Sequence, residues 1–297
     1  MSITTHLRRA ALTVGAAVLL LGGWGFIEPR LLDTEEETAI IPNLPDDWQG
    51  QKIVQISDFQ IGLWWDNPDT ARRAIEQAIA ANPAAVFISG DFIYHAKPQP
   101  EEEISEAVDI VEPLVNAGIP TYAVLGNHDY GMSSKDTAPD VELANQLASS
   151  LEEIGVVVLE NESVAMQIPN SQSPLYLAAI GSLWAGRDDV EAAIADLSEG
   201  DPRVVMMHNP DDFERFPANT APLAVAGHTH GGQIRMPNSP QWSWLRFTQK
   251  DEVYADGWAR GYGEPGNNLY VNVGIGMSII PIRLFCPPEI TIFTLES

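Results

Sequence analysis

Ile53-Val54-Gln55-Ile56-Ser57-Asp58 is a short β-branched run that stops at an acid, and the chain repeats this figure twice before residue 130. Ala84-Ala85-Val86-Phe87-Ile88 runs into Ser89-Gly90-Asp91, and Thr121-Tyr122-Ala123-Val124-Leu125 into Gly126-Asn127-His128-Asp129. The stretches between them have a different period. Residues 67–81 (NPDTARRAIEQAIAA) open on Pro-Asp start signals and space their apolar residues by three and four, and residues 101–117 (EEEISEAVDIVEPLVNA) show the same spacing. A βαβαβ alternation implies parallel strands joined by helical crossovers, and hence the α/β class.

Downstream the rhythm continues, with a helix expected over 141–154, strands over 156–159 and 174–180, and a short helix over 190–197. Two more apolar runs end in chemistry: Arg203–Met207 in His208-Asn209-Pro210, and Leu223–Ala226 in Gly227-His228-Thr229-His230-Gly231-Gly232-Gln233. If the last motif is extended, its alternate side chains share a face, so His228 and His230 project together. Residues 269–273 and 289–295 alternate like antiparallel strands and are expected to cover one sheet.

Asp58, Asp91, Asn127, His208, His228 and His230 thus each come after an expected strand. The carboxyl ends of strands in an open α/β sheet face a common crevice, so residues far apart in sequence can meet there. Each has a plain alternative reading taken alone: the acids could cap helices, Asn127 could make a turn with Gly126, and His208 could be a satisfied histidine beside Pro210. Their convergence points to a metal site. No H-E-x-x-H, phosphate-gripping P-loop or G-x-S-x-G occurs, which sets aside those hydrolase chemistries.

Upstream, residues 10–27 (AALTVGAAVLLLGGWGFI) carry no charge and are long enough for a membrane-spanning helix. Arg8-Arg9 precede them, while Glu28, Asp33 and Glu35-Glu36-Glu37 dominate the C-terminal flank, with Arg30 the one nearby basic residue there. The positive-inside rule then puts residues 1–9 in the cytoplasm and the remainder on the extracytoplasmic side of the cell membrane, behind an uncleaved single-pass anchor. Residues 28–50, acidic and punctuated by Pro42 and Pro45, read as a linker, either a tether or an irregular entry strand. Residues 51–297 form the domain. At 45% hydrophobic, the chain can bury a sizeable core.

The net charge of -25 argues against nucleic acid or an anionic surface as a partner held by charge, and a polyanionic substrate would need local compensation of the kind a bound metal supplies. The single cysteine, Cys286, excludes an intrachain disulfide.

The set Asp58-x-Gln60, Gly90-Asp91, Gly126-Asn127-His128-Asp129, His208 and Gly227-His228-Thr229-His230 resembles the calcineurin-like metallophosphoesterases, whose pattern is D-x-H, GD, GNHD, H and GHTH in that order. It is most similar to the bacterial membrane-anchored or exported branch, with a GHTHGGQ signature and a tail like Tyr270–Arg283 and then Cys286-Pro287-Pro288-Glu289-Ile290. The resemblance covers roughly residues 50–297. It implies a four-layer α/β/β/α sandwich with two mixed sheets and a dinuclear site that hydrolyses phosphodiester or pyrophosphate bonds with metal-activated hydroxide. One divalent ion would lie at Asp58, Gln60, Asp91 and His230, and the other at Asp91, Asn127, His208 and His228, with Asp91 bridging. His128 would face the substrate phosphate as a catalytic residue, and Asp129 would orient it or make a turn.

Gln60 departs from the family histidine. A carboxamide oxygen is a harder donor than imidazole, which favours manganese, with iron or zinc as alternatives. The same departure admits a second reading, a tethered metal- or phosphate-binding protein of little activity. Membrane anchoring suggests a lipid or envelope substrate, and some members of the branch act on a UDP-linked diacylglucosamine. Trp64 and Trp65 lie just past the first motif and could form an apolar lip or simply pack at the rim. Trp242 and Trp244 invite the same reading, and His95 lies four residues past Asp91 in a loop.

Overall fold

The computed structural model describes residues 3–94, 100–169, 171, 173–237, 239–243, 245 and 255–297, so His95 and Trp244 lie outside the described residues. The chain opens with helix α1 (Ile3–Ile27) and strand β1 (Asp33–Ile40), then β2 (Lys52–Ile56), α2 (Pro68–Ala80), β3 (Ala85–Ser89), α3 (Pro100–Asn116) and β4 (Thr121–Val124). Next come α4 (Val141–Glu153), β5 (Val157–Val158), β6 (Glu162–Met166), β7 (Leu175–Ala179), α5 (Val190–Ile194), β8 (Arg203–Met206) and β9 (Ala224–Ala226). A small hairpin, β10 (Arg235–Met236) and β11 (Ser239–Ser243), precedes β12 (Gly257–Trp258), β13 (Leu269–Val271) and β14 (Glu289–Glu296).

Two six-stranded mixed sheets result, ordered β1-β14-β2-β3-β4-β5 and β12-β13-β9-β8-β7-β6. The expected parallel run is there in β2, β3 and β4; β5 continues it, and β7 to β9 are parallel in the second sheet. Strand alternation explains the layering. Ile53, Phe87 and Val124 share the inter-sheet core with Leu177, Met206, Val225 and Tyr270, while Val54, Val86 and Ala123 face the other way onto apolar residues of α2, α3 and α4. On the far side of the second sheet Ala178, Val205 and Ala224 pack on α5 and on Phe213 and Phe216. The fold is therefore helices, sheet, sheet and a thin outer helical layer. α5 is only five residues long, shorter than expected over 190–197. It starts where the Asp189 side chain accepts the Ala192 amide at 3.0 Å.

The C-terminal strands depart from expectation. They do not cover one sheet as an antiparallel pair but divide between the two. β13 lies parallel to β9 in the second sheet, and β14 enters the first, antiparallel to β2 and parallel to β1. Both faces of these strands are buried, so their alternation separates two cores rather than core from solvent. Asp33–Ile40, expected as a tether or an irregular entry strand, is a regular eight-residue edge strand paired with β14 along its whole length. Its exposed glutamates suit a sheet edge, where charge discourages pairing with another chain.

α1 is a single 25-residue helix, long and apolar enough to cross a membrane, with Leu12, Val14, Val18, Leu19, Leu20 and Leu21 exposed. Its C-terminal end is fixed to the domain. The Arg283 amide donates to the Gly25 carbonyl (3.0 Å), and Asn67 Nδ2 and Thr70 Oγ1 both donate to the Pro29 carbonyl (2.8 and 3.1 Å).

Candidate metal centre

Five of the expected ligands sit at positive φ: Asp58 (54°), Gln60 (53°), Asp91 (57°), His228 (72°) and His230 (51°). Side chains other than glycine rarely adopt this region, and such strain persists only where surrounding structure enforces it, most often at functional sites. Here the loops lock one another. The Asp58 amide donates to the Gly90 carbonyl (2.9 Å), the Gln60 amide to the Asp91 carbonyl (3.0 Å), and the Gly276 amide to the Asp58 carbonyl (2.6 Å). Gly126 allows a close approach, because a Cβ there would collide with Asp91 Oδ1 and lie 2.7 Å from both the Asp91 nitrogen and His208 Cε1.

Two clusters of ligand atoms form at the carboxyl ends of the strands. Asp58, Asp91 and His230 make one, Asp91, His208 and His228 the other, and Asp91 belongs to both. His228 and His230 do not project together from an extended segment as expected. β9 ends at Ala226, and residues 227–232 turn tightly, which sends His228 to one cluster and His230 to the other.

The remaining expected ligands border these clusters. Asn127 turns its amide nitrogen to the Met132 carbonyl (2.7 Å), which aims Oδ1 at His208 Nε2, 3.2 Å away. His208 Nδ1 lies 2.8 Å from the Ser89 carbonyl; donating there leaves the lone pair on Nε2, the atom nearest Asp91 Oδ2 at 3.3 Å. Gln60 sets Nε2 2.8 Å from Asp91 Oδ2 and 3.3 Å from His230 Nε2, while its buried Oε1 has no hydrogen-bond partner. Exchanging the two ends of the amide, which are alike in shape, brings that orphaned oxygen to the point among the acceptors where a cation would be held. His230 Nδ1 is likewise buried without a partner. Carboxylates, imidazoles and carboxamide oxygens make a donor set that fits divalent metals, and these orphaned atoms fit it too.

At His228 and His230 the electrostatics agree with ligation. Burial, reinforced by the charge of His208, lowers His228 to about 3, and burial with the nearby Arg283 charge holds His230 well below the ordinary histidine range. Both imidazoles are thus neutral, the form that binds metal. Burial works against the charged form of His208 as well, yet the Asp91 carboxylate raises it to about 9. Asp91 is pushed up by burial but held below the usual carboxylate range by His208, His128 and His228. Burial raises Asp58 to about 7, opposed by His208.

His128 lies at the rim of the site, 7% exposed. Its amide donates to Asp91 Oδ1 (2.8 Å), its ring stacks on Tyr94 with centroids 4.7 Å apart, and Nδ1 lies 3.3 Å from the Tyr94 carbonyl. The Asp129 carboxylate instead accepts three backbone amides: Gly126 (2.8 Å), Asp91 (2.9 Å) and Ile93 (3.2 Å). It joins the loops that carry Asp91 and Asn127.

Sequence reasoning missed three residues here. Tyr94 stacks on His128, and Trp184 meets His228 edge to face at 4.8 Å. Arg283 is fully buried and donates to the carbonyls of Val273 (2.9 Å), Gly274 (3.0 Å), Gly276 (2.6 Å) and Cys286 (3.2 Å), holding the loop that backs Asp58. No motif marks a buried arginine whose partners are carbonyls.

A family model described as calcineurin-like phosphoesterase matches residues 51–232, more than half of the chain. The chain is 28% identical over 294 residues to the uncharacterized metallophosphoesterase YkuE of Bacillus subtilis, covering 98% of this chain and 94% of that protein. It is 31% identical to the phosphodiesterase YaeI of Escherichia coli over 75% of this chain and 74% of that one. With the UDP-2,3-diacylglucosamine pyrophosphatase LpxG of Chlamydia trachomatis it shares 25% identity over 98% and 97%. The matched segment and the two clusters joined at Asp91 place this chain in the calcineurin-like phosphoesterase family, as a metal-dependent phosphoesterase.

Proposed function

We propose that this chain is a membrane-anchored phosphodiesterase or pyrophosphatase of the bacterial cell envelope. α1 crosses the membrane once, the metal centre lies on the extracytoplasmic side, and the substrate is a lipid-linked phosphoester such as a UDP-linked diacylglucosamine. The observation that carries this reading is the union of a dinuclear cluster with an exposed apolar helix fixed to the same domain. Two relatives support it by name, one a phosphodiesterase and one a UDP-2,3-diacylglucosamine pyrophosphatase. Arg8-Arg9, in the first turns of α1 ahead of its uncharged stretch, support the orientation, and the GHTHGGQ motif at 227–233 supports the exported branch.

Asp58, Gln60, Asp91 and His230 would hold the first ion, and Asp91, Asn127, His208 and His228 the second. When bound, two such ions lower the pKa of a water and neutralise charge on phosphoryl oxygens. The protein's own residues do the rest. Donation of Nδ1–H to the Tyr94 carbonyl leaves Nε2 as the atom that gains and loses a proton, so the imidazolium form delivers its Nε2 proton to the leaving oxygen and returns to the Nδ1–H tautomer, a contribution of about 10²- to 10⁴-fold. The ring's stack on Tyr94 keeps it oriented. Gln60 favours manganese at the first position, since its carboxamide is a harder donor than imidazole.

The test compares kcat/KM of the full chain, in detergent with Mn²⁺, on a UDP-linked diacylglucosamine and on the same nucleotide sugar without acyl chains. Strong preference for the acylated substrate supports the reading. Equal rates on the two would remove the lipid substrate while leaving the phosphoesterase intact.

A further inference from the structure

Four large exposed apolar side chains outside α1 gather where that helix meets the domain. Trp64 is 66% exposed, Trp65 50%, Ile279 69% and Ile280 40%, and Trp65 meets Phe26 at the end of α1. The contacts make one surface of them. Phe26 and Trp65 rings are 5.2 Å apart, Trp64 and Trp65 6.3 Å, and Trp64 Nε1 donates to the Ile279 carbonyl at 3.3 Å. Ile279 also holds φ at +66°, a costly conformation for a β-branched side chain, at a position where no burial compensates.

We infer that this rim, formed by the Trp64–Trp65 and Ile279–Ile280 loops, inserts into the lipid surface beside α1, so that the domain lies on the bilayer rather than swinging from a tether. The inference rests on the membrane anchor proposed above. Its physical basis is rigidity. The end of α1 is bonded to the domain through Gly25, Pro29 and Arg30, whose carbonyls accept from Arg283, Asn67, Thr70 and Arg73, so no free linker separates the helix from the rim. A side chain that touches Phe26 must lie at the depth where the helix leaves the bilayer. Tryptophan is the residue most at home there, apolar in body and with one N–H to satisfy.

The rim is also wired to the metal centre. The Ile279 amide donates to Tyr94 Oη (3.3 Å), and Tyr94 stacks on His128. Gln233, three residues past His230, donates from Nε2 to the Ile280 carbonyl (2.8 Å) and accepts the Ser278 amide (2.7 Å). Lipid insertion of the rim therefore brings the mouth of the site to the headgroup plane.

The test uses the full chain in phosphatidylcholine vesicles, with a bimane label on one introduced cysteine at a time, since Cys286 is fully buried. Labels at Ile279→Cys and Trp64→Cys report the rim, Leu19→Cys reports α1, and Glu199→Cys reports the opposite end of the sheets. Retained turnover of bis(p-nitrophenyl) phosphate checks that each variant is folded. Replacing the lipid by its acyl-brominated form is expected to cost fluorescence at 19, 279 and 64 and to leave 199 unchanged. Loss at 19 with none at 279 or 64 would overturn the rim while keeping the anchor. No loss at 19 would remove the anchor reading, and the rim with it.

Discussion

Replacing Asp129 separates two accounts of that residue. If its carboxylate orients the His128 ring, Asp129→Asn should cost turnover and little stability. The structure points the other way, because the fully buried carboxylate accepts the amides of Gly126 and Asp91 on Oδ2 and that of Ile93 on Oδ1. Asparagine can place its oxygen where Oδ2 stands and keep two of these bonds, but its NH₂ then faces the Ile93 N–H. One buried donor left unsatisfied costs about 1–3 kcal/mol. Alanine orphans all three, so its cost approaches roughly 3–9 kcal/mol, a large part of a typical stability of about 5–15 kcal/mol. For a domain of this size about 2 kcal/mol lowers Tm by roughly 4–8 °C. Thermal unfolding in EDTA removes the contribution of bound metal to Tm. Turnover at saturating Mn²⁺, well below Tm, then reads activity. The account expects a clear loss of Tm in Asp129→Asn, a larger one in Asp129→Ala, and turnover within a few-fold of wild type for Asp129→Asn. An unchanged Tm with collapsed turnover would refute it.

Burial, with the charge of Asp256 adding to it, pushes Glu289 up to about 8, although Tyr270 Oη, Asn272 Nδ2 and Thr291 Oγ1 all donate to its Oε1. The folded state therefore holds a proton that the unfolded chain has lost, and the stability this supplies is present below about pH 4.5 and gone as pH rises through about 8. Glu289→Gln keeps the acceptor and cannot ionise, so its Tm should gain on wild type between pH 5 and 9; parallel Tm curves would contradict this. Gly126→Ala would set a methyl group 2.7 Å from His208 Cε1 and the Asp91 nitrogen, and should cost metal binding by calorimetry out of proportion to its size. His128→Ala should lower kcat about 10²- to 10⁴-fold with the metal content unchanged.

The parallel strands were legible because each is a short apolar run closed by a chemically marked turn. β2, β3 and β4 stand where Ile53–Ile56, Ala84–Ile88 and Thr121–Leu125 lie, and Asp58, Asp91 and Asn127 come after them into one site. Direction was not legible at the C-terminus. Alternation in β13 and β14 gives the two faces of a strand but not its neighbours, and both faces are buried. β1 was obscured by its own composition, since DTEEETAI carries the charge that suits a sheet edge and masks the strand. The split of His228 and His230 depends on left-handed backbone at both positions, which residue types other than glycine do not announce. Tyr94, Trp184 and Arg283 reach the centre from loops without motifs, and only the folded chain brings them there.

The central claim is a dinuclear centre bridged by Asp91, and its most direct measurement is bound manganese and turnover on the same sample. Metal content per chain is determined for the 297-residue chain and for Asp91→Asn, together with hydrolysis of bis(p-nitrophenyl) phosphate in Mn²⁺ and in EDTA. The account predicts about two ions per chain and turnover that EDTA abolishes, with both ions weakened together in Asp91→Asn because that carboxylate serves both clusters. Undiminished turnover in EDTA, or an Asp91→Asn variant that keeps both ions and full activity, would contradict it.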